Sequence, residues 1–204
     1  MSQERAKKIK VILFDVDGVL TNGTLWFFPA PMTGPRSTDK HAREHADQPG
    51  YGIVSQNMIE AKGFHAHDGT AVSLARLGGL KTGIVTKRIS ETVALRAQDL
   101  RVDYVFQGAA NKSEVLDKII ADGSIGEEQV AYLGDDVIDL PIMQRCGLAM
   151  AVADARPQVK AVAHYVTPAR GGEGAGRDAV EYILKAQGTL EKVIAAYIQA
   201  RTSI

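Results

Sequence analysis

The chain has 204 residues, an even balance of 24 acidic and 24 basic side chains, and one cysteine. Zero net charge gives no general electrostatic basis for binding nucleic acid or an anionic membrane, and no apolar run approaches the roughly 20 residues of a bilayer-spanning helix. The lone Cys146 excludes an internal disulfide, and the N-terminus leads into the first strand without the apolar segment of a signal peptide, so a cytoplasmic protein is expected.

The stretch 10–21, KVILFDVDGVLT, organises the rest of the chain. Val11, Ile12, Leu13 and Phe14 form the continuous apolar run of a strand buried on both faces in a parallel sheet. Asp15, Asp17 and Gly18 come next. Side chains alternate along a strand, so the two carboxylates are expected together beyond its carboxyl end. Carboxylates that close repel unless a cation or a shared proton relieves them. A hard divalent ion such as Mg2+, which takes oxygen ligands and leaves positions for phosphate oxygens, fits that need; a turn with an Asx cap is the structural alternative.

Residues 23–28 read as a short aromatic strand carrying Trp26, Phe27 and Phe28, with a return partner within 53–64. Between them, 29–50 is polar and proline-rich, the composition of an exposed loop or short helix. His41 and His45 have helical i, i+4 spacing but no evident third metal ligand, and read as solvated. A helix over 68–80 has Asp68 as its cap and ends at Gly78 and Gly79. Strand 81–86, helix 89–100, strand 104–106, helix 112–121 and strand 129–133 follow. The segments 137–145, 148–152, 157–163 and 165–166 continue the alternation, and a long helical region closes the chain. Cys146, before Gly147, reads as a small buried hydrophobe. The pattern predicts an α/β protein: a Rossmann-like, doubly wound parallel sheet with helices on both faces and a site at the strands' carboxyl ends.

Three further polar signals fall at such ends. Thr86 closes the second apolar strand, where its hydroxyl can hold a phosphate oxygen. Lys112 opens the helix after QGAAN, where an ammonium can neutralise a phosphoryl group and a carboxylate together. Asp135 and Asp136 end the strand QVAYLG, with Asp139 three residues on, supplying more oxygen ligands.

In this order the segments DVDGVLT, IVTKR, Lys112 and GDD resemble the four motifs of the haloacid dehalogenase superfamily of phosphotransferases. The resemblance implies that Asp15 is the nucleophile that becomes an aspartyl phosphate. Asp17 then serves as acid on the leaving oxygen and as base on water. It further implies Mg2+ held by Asp15, the Asp17 carbonyl and Asp135, with Asp136 and Asp139 placing metal-bound water or orienting Lys112. The short segment between Thr21 and Thr86 matches the capless branch, with a β-hairpin flap after the first strand. One hydrolase domain over 1–204 is expected, with a flap region at 22–67 and the inserted polar loop at 29–50.

IEAKGFHAHDG (59–69), the QG before Lys112 and RGGEGAGRDAVEYIL (170–184) are similar to the KDO-8-phosphate phosphatases (KDO is 3-deoxy-D-manno-octulosonate) of lipopolysaccharide precursor synthesis. That likeness implies a phosphorylated sugar acid as substrate and a homotetramer whose glycine-rich tail, Gly171 to Arg177, completes a neighbour's site. Arg88, Gly171, Gly172 and Arg177 are then the substrate-binding candidates, although Arg177 can equally pair with Glu181 one helical turn on. Three features depart from that family: Lys87 in place of a glycine, Asp178 in place of a glutamate, and the long 29–50 stretch. The same chemistry on another sugar phosphate and a non-catalytic oligomerisation module are the competing readings.

Overall fold

The structure is a computed structural model, which describes residues 2–29, 43–44, 51–52, 58–123 and 125–202. Its elements in chain order are α1 (Ser2–Ala6), β1 (Val11–Phe14), β2 (Trp26–Pro29), β3 (Arg43–Glu44), β4 (Tyr51–Gly52), β5 (Met58–Ala61), α2 (Ala66–Leu77), β6 (Lys81–Val85), α3 (Glu91–Leu100), β7 (Tyr104–Phe106) and α4 (Ser113–Gly123). Then come β8 (Val130–Gly134), α5 (Leu140–Met143), β9 (Leu148–Ala151), α6 (Pro157–Val162), β10 (Tyr165–Val166), α7 (Ala175–Ala186) and α8 (Leu190–Thr202).

Six strands form one sheet in the order β10-β9-β8-β1-β6-β7, with every neighbouring pair parallel. β1, β8 and β9 are buried along their whole length, as continuous apolar runs sandwiched between helices should be. From β1 the chain winds one way through β6 to β7, then returns and winds the other way through β8, β9 and β10. Right-handed crossovers put the helices of the two windings on opposite faces. The packing agrees: α2 contacts α3, α7 and α8, whereas α5 contacts α4 and α6. The winding reverses at β1, and the crevice beyond the carboxyl end of that strand is where such a sheet binds ligand.

Between β1 and β6 the described residues hold the antiparallel hairpin β2/β5, the short ribbon β3/β4 and α2, with no large cap among them. The inserted loop 29–50, with His41 and His45, lies outside the described residues apart from Pro29 and Arg43–Glu44. The long closing helical region is two helices, parted by a turn at Gly188 with φ +69°. Cys146 is buried, and desolvation pushes its thiol up to about 12, which fits an inert core residue.

The cap of α2 differs from expectation. His65 caps the helix, accepting from the His67 N–H at 3.3 Å, while Asp68 is buried one turn inside. The reason is tertiary: Asp68 Oδ1 accepts from the Arg177 N–H at 2.9 Å, so it fastens the first turn of α7 instead. Its Oδ2 has no hydrogen-bond partner among the described residues. Burial pushes this carboxyl up to about 6, against the Arg177 N–H that favours its charged form.

A carboxyl raised in the folded state binds more protons folded than unfolded, so its contribution to stability falls as pH rises from about 4 to 6. Over about two pH units the change is on the order of 2 kcal/mol. Asp68→Asn should therefore flatten the stability profile across that window. Urea unfolding at pH 4 and pH 6.5 checks it; an unchanged slope would rule out Asp68 as the source.

Candidate active site

Asp15 follows β1 directly and is buried, with its N–H donating to Leu133 O at 3.1 Å and its Oδ1 accepting from the Val16 N–H at 2.7 Å. Its Oδ2 lies 2.6 Å from Nζ of the wholly buried Lys112. Lys112 also donates to Asp139 Oδ1 at 2.7 Å and to the Tyr132 hydroxyl at 3.1 Å. Burial opposes the charge on Lys112, but Asp15 and then Asp139 outweigh it and hold the ammonium above its ordinary range.

Asp139 is fully committed. Its Oδ1 accepts from Lys112 and, at 2.7 Å, from the Tyr132 hydroxyl; its Oδ2 accepts from the Asp135 N–H at 2.9 Å and the Asp136 N–H at 3.2 Å. It thus holds the lysine with one oxygen and shapes the loop after β8 with the other. Asp136 caps the short 3-10 turn 137–139, accepting from the Val137 N–H at 2.7 Å.

Oxygens of Asp15, Asp135 and Asp139 lie within 4.8 Å of one another. Asp135 Oδ1 is buried with no hydrogen-bond partner among the described residues. Burial, then the charges of Asp15 and Asp139, push its carboxyl up to about 8. An all-oxygen, strongly anionic cluster with a partnerless buried oxygen fits a hard divalent cation such as Mg2+. Each Asp139 oxygen already has two partners, whereas each Asp15 oxygen has one and Asp135 Oδ1 none, so Asp15 and Asp135 are the side chains with lone pairs left to hold the ion. Gly18 makes room: at φ +91°, a Cβ there would lie 2.2 Å from Asp135 Oδ2.

A cavity of about 230 Å³ opens on this cluster, lined by Asp15, Asp17, Thr86, Lys87, Arg88, Asp135 and Asp136 among others. Thr86 is buried at the end of β6, where its Oγ1 accepts from the Arg88 N–H at 3.2 Å. Asp17 borders the same cavity, but its carboxylate is not among the close-set oxygens. β1 ends at Phe14 and the chain turns at Val16, so strand alternation no longer applies; Asp17 instead pairs with Lys62, just beyond β5.

Residues 82–175 match the family model of haloacid dehalogenase-like hydrolases. The 3-deoxy-D-manno-octulosonate 8-phosphate phosphatase KdsC of Escherichia coli K12 is 32% identical over 188 residues, 92% of this chain and 86% of its own. This chain belongs to that phosphatase family. A Pseudomonas syringae protein assigned to the yrbI phosphatases is 40% identical over 96% of each chain, with TM-score 0.80. The family's enzyme from Moraxella catarrhalis, whose crystal structure is a complex with magnesium, phosphate and KDO, is 29% identical over 96% of this chain and 97% of its own, with TM-score 0.78.

Within this family member, the glycine-rich segment packs against its own chain. Gly172 N–H donates to Val19 O at 2.9 Å and Gly171 N–H to Asp154 Oδ1 at 2.9 Å. A Cβ at Gly171 would stand 1.8 Å from Gly18 O, so only glycine allows the approach. Within the chain, Gly171 and Gly172 brace the loop that carries the nucleophile. Arg177 pairs with Glu181 on α7, the local alternative. Asp178 accepts from the Ala169 N–H at 2.9 Å and ties down the segment leading into the glycines.

Sequence reasoning missed Tyr132, Glu60 and Lys62. A tyrosine two residues before GDD in an otherwise apolar strand was a readable signal for a buried hydroxyl needing a polar partner. Glu60 lies on β5 and Lys62 just past its end, so the signal was two opposite charges close together at the end of the returning flap strand.

Proposed function

We propose that the protein is a Mg2+-dependent phosphomonoesterase that hydrolyses KDO-8-phosphate to KDO and phosphate, a step in lipopolysaccharide precursor synthesis. The observation that carries the reading is the buried Asp15–Lys112 pair facing the partnerless Asp135 oxygen, in a member of this family. Asp15 attacks phosphorus, the bond from phosphorus to the sugar oxygen breaks, and Asp17 gives that oxygen a proton. Asp17 then takes a proton from the water that attacks the aspartyl phosphate, releasing phosphate and restoring Asp15.

Lys112 offsets the repulsion between a dianionic phosphate and an anionic nucleophile, on the order of several kcal/mol at intermediate dielectric. The Thr86 hydroxyl holds a phosphate oxygen. Mg2+, held by Asp15, the Asp17 carbonyl and Asp135, supplies further charge neutralisation when bound. Asp136 and Arg88 both line the cavity, where the Arg88 guanidinium suits a leaving-group carboxylate.

The test is phosphate release from KDO-8-phosphate beside arabinose 5-phosphate and other sugar phosphates, with Mg2+ and then with EDTA. Strong preference for KDO-8-phosphate, abolished by EDTA, is expected. Preference for another ester would move the substrate and keep the chemistry, whereas release undiminished by EDTA would overturn the metal requirement.

A cytoplasmic homotetramer completes the proposal. Among the described residues no helix is long and apolar enough to cross a membrane. Trp26, Phe28 and Ile59 are all exposed, with Phe28 opposite Ile59 in the β2/β5 hairpin, and an aromatic patch of that kind suits association between copies. Sedimentation at micromolar concentration should give a tetramer that Trp26→Glu weakens; a wild-type monomer would rule the assembly out.

A further inference from the structure

Four charged side chains close a square at the flap edge of the cavity. Lys62 Nζ pairs with Asp17 Oδ1 and lies 4.0 Å from Glu60 Oε1; Arg88 Nε lies 3.8 Å from Asp17 Oδ2, and Arg88 NH2 lies 3.6 Å from Glu60 Oε2. The corners come from three separate segments: the turn after β1, the end of the flap and the loop after β6. Glu60 is itself fixed, its carboxylate by the Ser90 hydroxyl and its carbonyl by the Thr92 hydroxyl at 3.0 Å. The Lys62 side chain has no solvent exposure, whereas that of Asp17 keeps 24%, and Asp17 lines the cavity. Burying an ammonium is costly unless close carboxylates offset it, so the square fixes Lys62 firmly.

We propose that Lys62 is a positioning residue for the reaction: it holds the Asp17 carboxylate toward the leaving oxygen, so that docking of the flap and aim of the acid–base group are one event. Asp17 stands beyond β1, with its Oδ1 on the Lys62 ammonium and its Oδ2 near Arg88, so the lysine fixes the aim of the carboxylate. Lys62 touches no reacting atom and acts through Asp17. The proposal rests on the reading of Asp17 as the acid–base residue.

Leaving groups separate this role from simple support of the flap. A sugar alkoxide needs a proton to depart and p-nitrophenolate does not. Lys62→Met should lower kcat/KM on KDO-8-phosphate by about a hundredfold, the scale of general acid catalysis, while kcat/KM on p-nitrophenyl phosphate, which reports formation of the aspartyl phosphate and not the later attack of water that also uses Asp17, is nearly retained. Lys62→Arg should restore most of the loss, and Lys62→Met added to Asp17→Asn should cost nothing further. If wild type does not turn over KDO-8-phosphate, arabinose 5-phosphate serves as the alkyl ester.

Equal losses of kcat/KM on the alkyl and aryl esters in Lys62→Met, with a discriminating loss of kcat/KM in Asp17→Asn, would overturn the assignment to Lys62. An Asp17→Asn variant that does not discriminate would overturn the acid–base reading beneath it, and the proposal with it. Should Lys62→Met fail to fold, Lys62→Gln, which keeps a donor without the charge, carries the same comparison.

Discussion

Asp15→Asn is expected to lower phosphate release by on the order of 10⁴-fold or more, since removing the nucleophile of a covalent mechanism removes the pathway. An amide cannot form the aspartyl phosphate, and its NH2 would point at the Lys112 ammonium that lies 2.6 Å from Asp15. The fold should survive. Asn avoids burying a charge where desolvation already pushes the Asp15 carboxyl up, and Lys112 keeps Asp139 as its partner. Loss of the ion pair and relief of desolvation oppose each other, so Tm should move by only a few degrees, the equivalent of about 1 kcal/mol in a domain of this size. Phosphate assay and thermal melt on the same preparation decide it. Near wild-type release by Asp15→Asn would overturn the covalent mechanism.

What could be read from the sequence was what depends on neighbours in the chain. The run of β1 is apolar at every position, and that of β8 apart from Tyr132, because the sheet is covered on both faces, and that pattern survives translation into structure almost residue for residue. The site arises from it, because Asp15, Thr86 and Asp135 each come directly after a strand end. What could not be read depends on contacts distant in sequence. Asp68 looks like a helix cap, and would be one, had α7 not claimed its carboxylate from 109 residues away. The glycines at 171 and 172 announced a close approach, but only the fold shows that the approach is to Gly18 and Val19 of the same chain. Asp17 lines the same cavity as Asp15, but the flap lysine that captures it is 45 residues on.

Lys112→Met should be both inactive and unstable, and the instability should depend on pH. The variant keeps the bulk of the side chain but leaves Asp15 and Asp139 buried without their shared cation, only the Tyr132 hydroxyl and backbone N–H groups remaining to them. Breaking a buried pair from one side typically costs about 3–5 kcal/mol, most of it the penalty of the stranded charge. The stranded group can escape that penalty by taking a proton. Asp15 is already raised by burial in the intact site, with Lys112 as the main opposing influence, so without the lysine its folded value rises further. A carboxyl raised on folding adds most stability below its unfolded value and loses it as pH climbs to the folded one. The deficit of Lys112→Met against wild type should accordingly be large at pH 8 and shrink toward pH 5. Urea unfolding of both proteins in EDTA at the two pH values measures it without interference from a bound cation. Phosphate release in Mg2+ should fall by on the order of 10³-fold, the scale of losing a preorganised cation at the reacting group. A deficit of the same size at both pH values would mean that the lysine acts by packing, and the charge-neutralising role assigned to it at phosphorus would lose its support.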